Sequence, residues 1–178
     1  MSEYPTLREA NAARHLEWTN NQTVDLVWRG TELAGEIGEL IDLLLAPEPE
    51  LVSWNEDLWD ELADGVICLD LTSMTAGLEL PEAPSGEGGR RQESNEMLAA
   101  CLGSAVGGVC NILKKLEREN RDWPGSRTTA ESLAASINHL YRFIVITATR
   151  YGVSLDAAVQ NKFNATSEEV GLKTRLAA

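Results

Sequence analysis

Read as a sequence, this chain predicts an all-α protein, a helical bundle forming a single domain over residues 1–178. Apolar residues recur at three-to-four spacing through most of its length, as in Leu133, Ile137, Leu140, Ile144 and Ala148, which is the period of one helical face. Several segments open on a Ser/Thr-x-x-Glu pattern, in which a hydroxyl and a carboxylate satisfy the free amides of a first helical turn. Strand signals are absent, because the β-branched residues of 144–149 fall inside a helical run.

Thr6 with Glu9 opens a helix over 6–20. A second follows over 29–45. Ser53 with Glu56 opens a third over 54–76, which Gly77 ends by supplying the left-handed conformation of a helix stop. Helices over 95–119, 129–151 (opened by Thr128 with Glu131, closed by Gly152) and 154–169 complete the chain. Residues 81–95, PEAPSGEGGRRQESN, combine Pro, Gly and charge and read as a flexible linker between 6–80 and 96–178. Its Gly-rich part lacks the lysine and preceding strand of a phosphate-binding loop.

Composition narrows the partners. At 178 residues with 43% hydrophobic content the chain can fill one substantial core. Its net charge of −13 argues against nucleic acid, whose phosphates need a basic surface. A nucleotide remains compatible, because bound cations invert the local charge. Cys68, Cys101 and Cys110 lie in apolar helical contexts without ligand spacing and read as small core residues of a reducing compartment. The N-terminus has neither the basic nor the apolar region of a signal peptide, and no stretch approaches a membrane span. The expected location is cytoplasmic, with no membrane partner.

The most informative residues are four carboxylates in two matched pairs, Glu36 with Glu39 and Glu61 with Asp64. Spacing of i, i+3 puts both acids of a pair on one helical face. They border the inward stripe of Leu33, Ile37, Leu40, Leu62, Val66 and Leu69. One such pair alone reads as an ordinary solvated face. Two pairs at the core edge of adjacent helices repel each other and lose hydration, which a bound cation offsets. An oxygen-only ligand set suits Mg²⁺ or Mn²⁺. Glu32, one turn earlier, reads equally as a supporting group or a solvated charge.

The halves on either side of the linker read as weak repeats. LAGEIGELID (33–42) aligns with LGSAVGGVCN (102–111), and LTSMTAGLEL (71–80) with ITATRYGVSL (146–155). The acid positions become Ala105, Gly108, Ser136 and His139 in the second copy. This predicts a degenerate duplicated helical hairpin, with 6–80 catalytic and 96–178 structural; chance similarity between two amphipathic hairpins is the competing reading. His139 and His15 lack any second ligand at metal spacing and read as packed or capped.

GEIGEL (35–40), followed after a loop by ELAD (61–64), resembles the ExxE…ExxD signature of the MazG-like all-α nucleoside triphosphate pyrophosphatases. GVSLDAAVQNKFNATS (152–167) is similar to that family's last helix with its Lys-Phe-Asn element, and the resemblance spans 6–80 and about 100–172. It implies Mg²⁺ (Mn²⁺ substituting), two or three ions per site, held by Glu36, Glu39, Glu61 and Asp64 as catalytic residues. It also implies attack at the α-phosphorus of a (d)NTP, giving a monophosphate and pyrophosphate, and a homo-oligomer, dimer or tetramer. The compact size is similar to the phage MazZ type, which converts dGTP to dGMP. A dUTP or dCTP hydrolase of pool sanitation is the alternative substrate reading.

Two ions about 3.5–4 Å apart would clamp the phosphates and lower the pKa of an attacking water. Either Glu36 or Glu39 would take its proton. At the position of the Lys-Phe-Asn element, Lys162 with Asn161 and Asn164 is expected to contact phosphate. Lys173 and Arg175 of the tail GLKTRL could close over the leaving group, or complement a helix end. Lys114, Lys115 and Arg118 read as a solvated face. Five tryptophans is a high number for this length. Trp18 and Trp28, with Trp54 and Trp59, flank the two acid helices; Trp18, Trp28 and Trp59 are the stacking candidates, and Asn21, with Asn11, Asn20 or Gln22, would read the base edge. For any one tryptophan, core packing is the commoner role.

Two further classes compete with this reading. A ferritin-like di-iron bundle needs Glu-x-x-His on two helices, and the sequence has none. A catalytically inactive helical interaction protein is the other, since the second half has already lost its acids.

Overall fold

The apolar spacings become the inner faces of a helical bundle in the computed structural model, which describes residues 2–46, 51–80, 94–122 and 130–177. In chain order these form β1 (Ser2–Tyr4), α1 (Leu7–Trp18), α2 (Leu26–Leu45), α3 (Leu51–Thr75), α4 (Asn95–Asn120), α5 (Ala130–Tyr151), α6 (Leu155–Glu169) and β2 (Thr174–Leu176). The chain is therefore all-α in class. Most of the linker expected at 81–95, the Ser53 side chain and Thr128 lie outside the described residues.

Four helices close around one core, with α2 against α3 and α4, α4 against α5, and α5 against α3. Leu33, Ile37, Leu40 and Leu44 of α2 meet Leu58, Leu62 and Leu69 of α3, Leu98, Leu102 and Val109 of α4, and Leu133, Ile137, Leu140 and Ile144 of α5, all buried. Each such side chain contributes about 1.5–3 kcal/mol by leaving water. Gly30 lets α4 approach α2: a Cβ there would stand 2.5 Å from Leu113 Cδ1.

Local chemistry sets the helix ends. The Thr6 hydroxyl accepts from the Glu9 amide at 3.2 Å and donates to its carboxylate at 2.8 Å. Asp25 accepts from the Trp28 amide at 2.7 Å, so α2 starts at Leu26, three residues before the expected 29. Ser94 and Ser154 cap α4 and α6. Gly77 and Gly152 both adopt φ +69 at the helix stops predicted for them.

The expectation of no strands needs one correction. β1 pairs with β2 in parallel, Ser2 opposite Thr174 and Tyr4 opposite Leu176; three residues are too few to show a strand period in sequence. The pairing is secured from the side. Glu17 of α1 accepts from the Lys173 amide (2.7 Å), the Thr174 amide (3.1 Å) and the Thr174 hydroxyl (2.9 Å). Asn164 of α6 exchanges two bonds with the Leu176 backbone, at 2.9 and 2.8 Å.

A polar lock docks α1 on α3. Arg8 donates from Nε and Nη2 to Asp70 Oδ1 at 3.0 and 2.8 Å, and from Nη1 to the Leu78 carbonyl at 2.9 Å. Asn11 Nδ2 donates to Asp70 Oδ2 at 2.9 Å and to the Ile67 carbonyl at 3.3 Å. Asp70 is buried, so these partners replace its water.

The expectation that no stretch approaches a membrane span is also corrected. Helix α4 is long and apolar enough to cross a membrane by length and composition. Its apolar positions Leu98, Leu102, Val109 and Leu113 belong to the core of the bundle.

Candidate metal centre and adjoining cleft

Helix geometry carries the four acids toward one place. Glu36 and Glu39 lie one turn apart on α2, Glu61 and Asp64 one turn apart on α3, and the two helices pack together. A carboxylate oxygen from each of Glu36, Glu39 and Glu61 lies within 4.8 Å of the other two. Asp64 stands close enough to raise the pKa of both Glu36 and Glu61, but its own carboxylate is engaged by Lys162. The Lys162 ammonium reaches from α6 to Asp60 Oδ2 at 2.9 Å and Asp64 Oδ2 at 3.1 Å. The expected cage of four acids is therefore three mutually close carboxylates with a fourth neutralised beside them.

Electrostatics mark the cluster as strained toward a cation. Partial burial pushes Glu36 up to about 7, assisted by the charges of Asp64 and Glu39. Glu61 rises to about 7 by partial burial and by Glu39 and Asp64. Burial also raises Asp64, outweighing the pull of Lys162. Burial works against the charge of Lys162, yet its bond to Asp60 and the charge of Asp64 prevail, holding it above the ordinary lysine range. Glu61 Oε2 is buried without a hydrogen-bond partner. Oxygen-only ligands, mutual repulsion and an orphaned carboxylate oxygen together fit a hard divalent cation.

Beside this cluster opens a cleft of about 570 Å³, lined in part by Glu36, Asp64 and Lys162. Trp18 and Trp28 line it too, exposed at 52% and 60%, with the Arg14 guanidinium 5.9 Å from the centre of the Trp18 ring. Asn11 borders it from α1.

Other expected site residues lie elsewhere. The amide of Asn164 is spent on β2, because the short strand needs that tether. Arg175 Nη1 donates to the Leu172 and Thr174 carbonyls, at 2.7 and 2.8 Å, and borders a separate depression with Glu3 and Glu168. Lys173 is exposed and tied to Glu17 through its backbone. Asn161 is exposed on α6, and Asn21 sits in the turn after α1 at φ 61. Neither they nor Trp59 line the cleft. The Trp54 side chain lies outside the described residues. His139 packs edge-on against Phe143.

Two cleft residues had escaped the sequence reading. Arg14 is buried, donates to the Phe163 carbonyl at 3.2 Å and lies 3.6 Å over the Phe163 ring; burial lowers its pKa to about 10. Arg29, also buried, donates to Glu32 at 2.6 Å and meets His15 Nδ1 at 2.7 Å. Burial and the Arg29 charge lower the pKa of His15. Glu32 is thus an ion-pair partner within the cleft wall. The available signal was spacing: Arg29, Glu32 and Glu36 fall at i, i+3 and i+7 on one face of α2. Cys68 lines the cleft as well, its thiol pushed far up by burial, and all three cysteines are free.

Comparison with protein-family models, with curated proteins and with solved structures gives no match to this chain.

Proposed function

We propose that this chain is a divalent-cation-dependent nucleoside triphosphate pyrophosphohydrolase of the MazG-like all-α type, acting on a (d)NTP, with dGTP one candidate and dUTP or dCTP the alternative. The observation that carries this reading is the convergence of Glu36, Glu39 and Glu61 within 4.8 Å beside a cleft that offers two exposed tryptophans and the Lys162 ammonium. A triphosphate needs all three features: charge neutralisation, a surface for the base and a cation for the leaving group.

Bound Mg²⁺ or Mn²⁺ would supply phosphate charge neutralisation and an acidified water. The chain's own residues do the remainder. Glu39, Glu61 and Glu36 would hold the cations, with Asp64 adjoining. Either Glu36, which lines the cleft, or Glu39 would accept the proton of the attacking water when not itself a ligand. Water oxygen bonds to the α-phosphorus, the bond to the α,β-bridging oxygen breaks, and pyrophosphate leaves. Lys162 would meet the phosphates on exchanging Asp64 for them, and Trp18 or Trp28 would stack on the base.

The same reading includes the duplication. Helices α4 and α5 pack on α2 and α3 in one chain, as a degenerate second hairpin would, with Ala105, Gly108, Ser136 and His139 in place of the acids. Because Lys162 meets Asp64 within one chain, a homodimer or tetramer in the cytoplasm of a bacterium or phage-infected cell would carry one whole site per subunit.

Pyrophosphate release with Mg²⁺ over a panel of dNTPs and NTPs tests the proposal. The expected result is release from at least one of them, abolished by chelation. No release from any triphosphate would leave the helical interaction protein as the better reading.

A further inference from the structure

The Lys162 ammonium stands between two acids of different standing. Asp64, at 3.1 Å, lies one turn from Glu61, and its charge acts on both Glu36 and Glu61. Asp60, at 2.9 Å, lies outside the trio of Glu36, Glu39 and Glu61 whose oxygens converge. The two aspartates sit at i, i+4 on α3, so one helical turn separates the two anchorages of a single ammonium.

Docking of α6 does not depend on this bridge. The helix packs on α3, and its Ala158, Val159 and Phe163 are buried. The Lys162 side chain keeps 23% of its surface and that of Asp60 keeps 55%. Ion pairs this open to water are weak, and their side chains change rotamer quickly. The backbone is therefore fixed while the ammonium is free to exchange one partner for another. On Asp64 it neutralises that carboxylate and repels a second cation.

We propose that Lys162 is an internal competitor of the divalent cation for Asp64, with Asp60 as the residue that receives the ammonium when the cation takes Asp64. The inference rests on the proposed function and adds to it a regulation of the metal centre. Asp64 serves the cation only in chains whose Lys162 has moved away, so the apparent affinity falls by the fraction of chains in which it has not. An anion that draws the ammonium off favours the cation, which couples phosphate binding to metal binding.

The test reads cation binding, not turnover. Free Mn²⁺ is followed by electron paramagnetic resonance in titrations of the wild type, Lys162→Met, Asp64→Asn and the double variant, at a pH that ionises Glu36 and Glu61. Removing Lys162 should tighten Mn²⁺ binding roughly fivefold or more where Asp64 is present. In the Asp64→Asn background the gain should shrink to less than about twofold, the coupling signature of a shared partner. A general repulsion between Lys162 and the cation would act in both backgrounds alike, because Glu36, Glu39 and Glu61 remain. Asp60→Asn gives a second cycle: it should weaken Mn²⁺ binding roughly fivefold while Lys162 is present and by less than about twofold in Lys162→Met. Thermal melts identify a variant that fails to fold; the cycle without it then decides, with Lys162→Gln standing in for Lys162→Met. No gain on removing Lys162, or an undiminished effect in either cycle, overturns the inference and leaves the metal-centre reading intact. Failure of the wild type and of Lys162→Met alike to bind Mn²⁺ overturns both.

Discussion

Lys162 Nζ lies 3.1 Å from Asp64 Oδ2, so α6 delivers its ammonium to Asp60 and Asp64 of α3 from within the same chain. One basic side chain thus holds the fourth carboxylate in reserve and ties the last long helix to the candidate metal centre. Replacing Lys162 by Met removes both contacts. The expected outcome is loss of pyrophosphate release by ~100-fold or more and a stability cost of about 1 kcal/mol, since the partners are partly exposed. Steady-state kinetics and thermal melts check the two effects separately.

Because that contact is made in cis, inactive subunits should not rescue each other. Mixing Asp64→Asn with Lys162→Ala chains is expected to give no recovered activity, whatever mass light scattering reports. Recovery would mean that α6 crosses between subunits in solution.

Glu39→Gln and Glu61→Gln should each cut turnover by ~100-fold or more, at or beyond the upper end for losses around bound ions. In the cation-free chain both variants should melt at or above the wild-type temperature, because one charge leaves a repelling cluster. Melting curves with and without Mg²⁺, beside the activity assay, read both halves of this expectation. Near-full activity at saturating Mg²⁺ would sink the site assignment.

The raised carboxylates predict a pH dependence with a definite sign. Glu36 and Glu61 move from 4.5 to about 7 on folding. Between those values the folded chain keeps protons that the unfolded chain has released. Their contribution to stability therefore falls as pH rises from about 4.5 to 7 and stays at its lower level above that. Melting temperature against pH, compared with a Glu36→Gln, Glu61→Gln double variant, should isolate this slope. Mg²⁺ should raise the wild-type melting temperature more at pH 8 than at pH 5.

Arg8→Ala should be costly away from the acids. It leaves Asp70 buried with Asn11 as its remaining side-chain partner. Removing one member of a buried charged pair costs about 3–5 kcal/mol; the 25% exposure of Arg8 places the expected loss near the lower figure. Chemical denaturation at neutral pH measures it.

Most of the helical scaffold was legible in the sequence because its signals are local. Leu33, Ile37 and Leu40 repeat at the helical period, and Gly77 and Gly152 stop their helices where a left-handed residue is needed. The acids were legible for the same reason, as i, i+3 pairs beside an apolar stripe. What escaped depends on contacts between distant residues. Asn164 looks like a phosphate ligand in a Lys-Phe-Asn string, but its amide is claimed by Leu176 twelve residues on. Arg14 and Arg29 look like ordinary helical arginines until tertiary packing buries them, Arg14 against Phe163 of α6 and Arg29 against His15 of α1. The strands SEY and TRL carry no periodicity, and only their pairing across the chain creates them.

That pairing has a consequence for synthesis on the ribosome. Helix α1, which supplies Asn11, Arg14 and Trp18 to the cleft, is secured by the Phe163 carbonyl, the Thr174 hydroxyl and β2. During translation Arg8 and Asn11 can lock α1 onto Asp70 once α3 is made, but Arg14 and Glu17 wait for Phe163 and Thr174 before their partners exist. The acid helices α2 and α3 emerge long before then and can dock on each other, as earlier segments generally do. A nascent chain would thus gather its carboxylates first and gain a finished cleft only after residue 176 has left the exit tunnel.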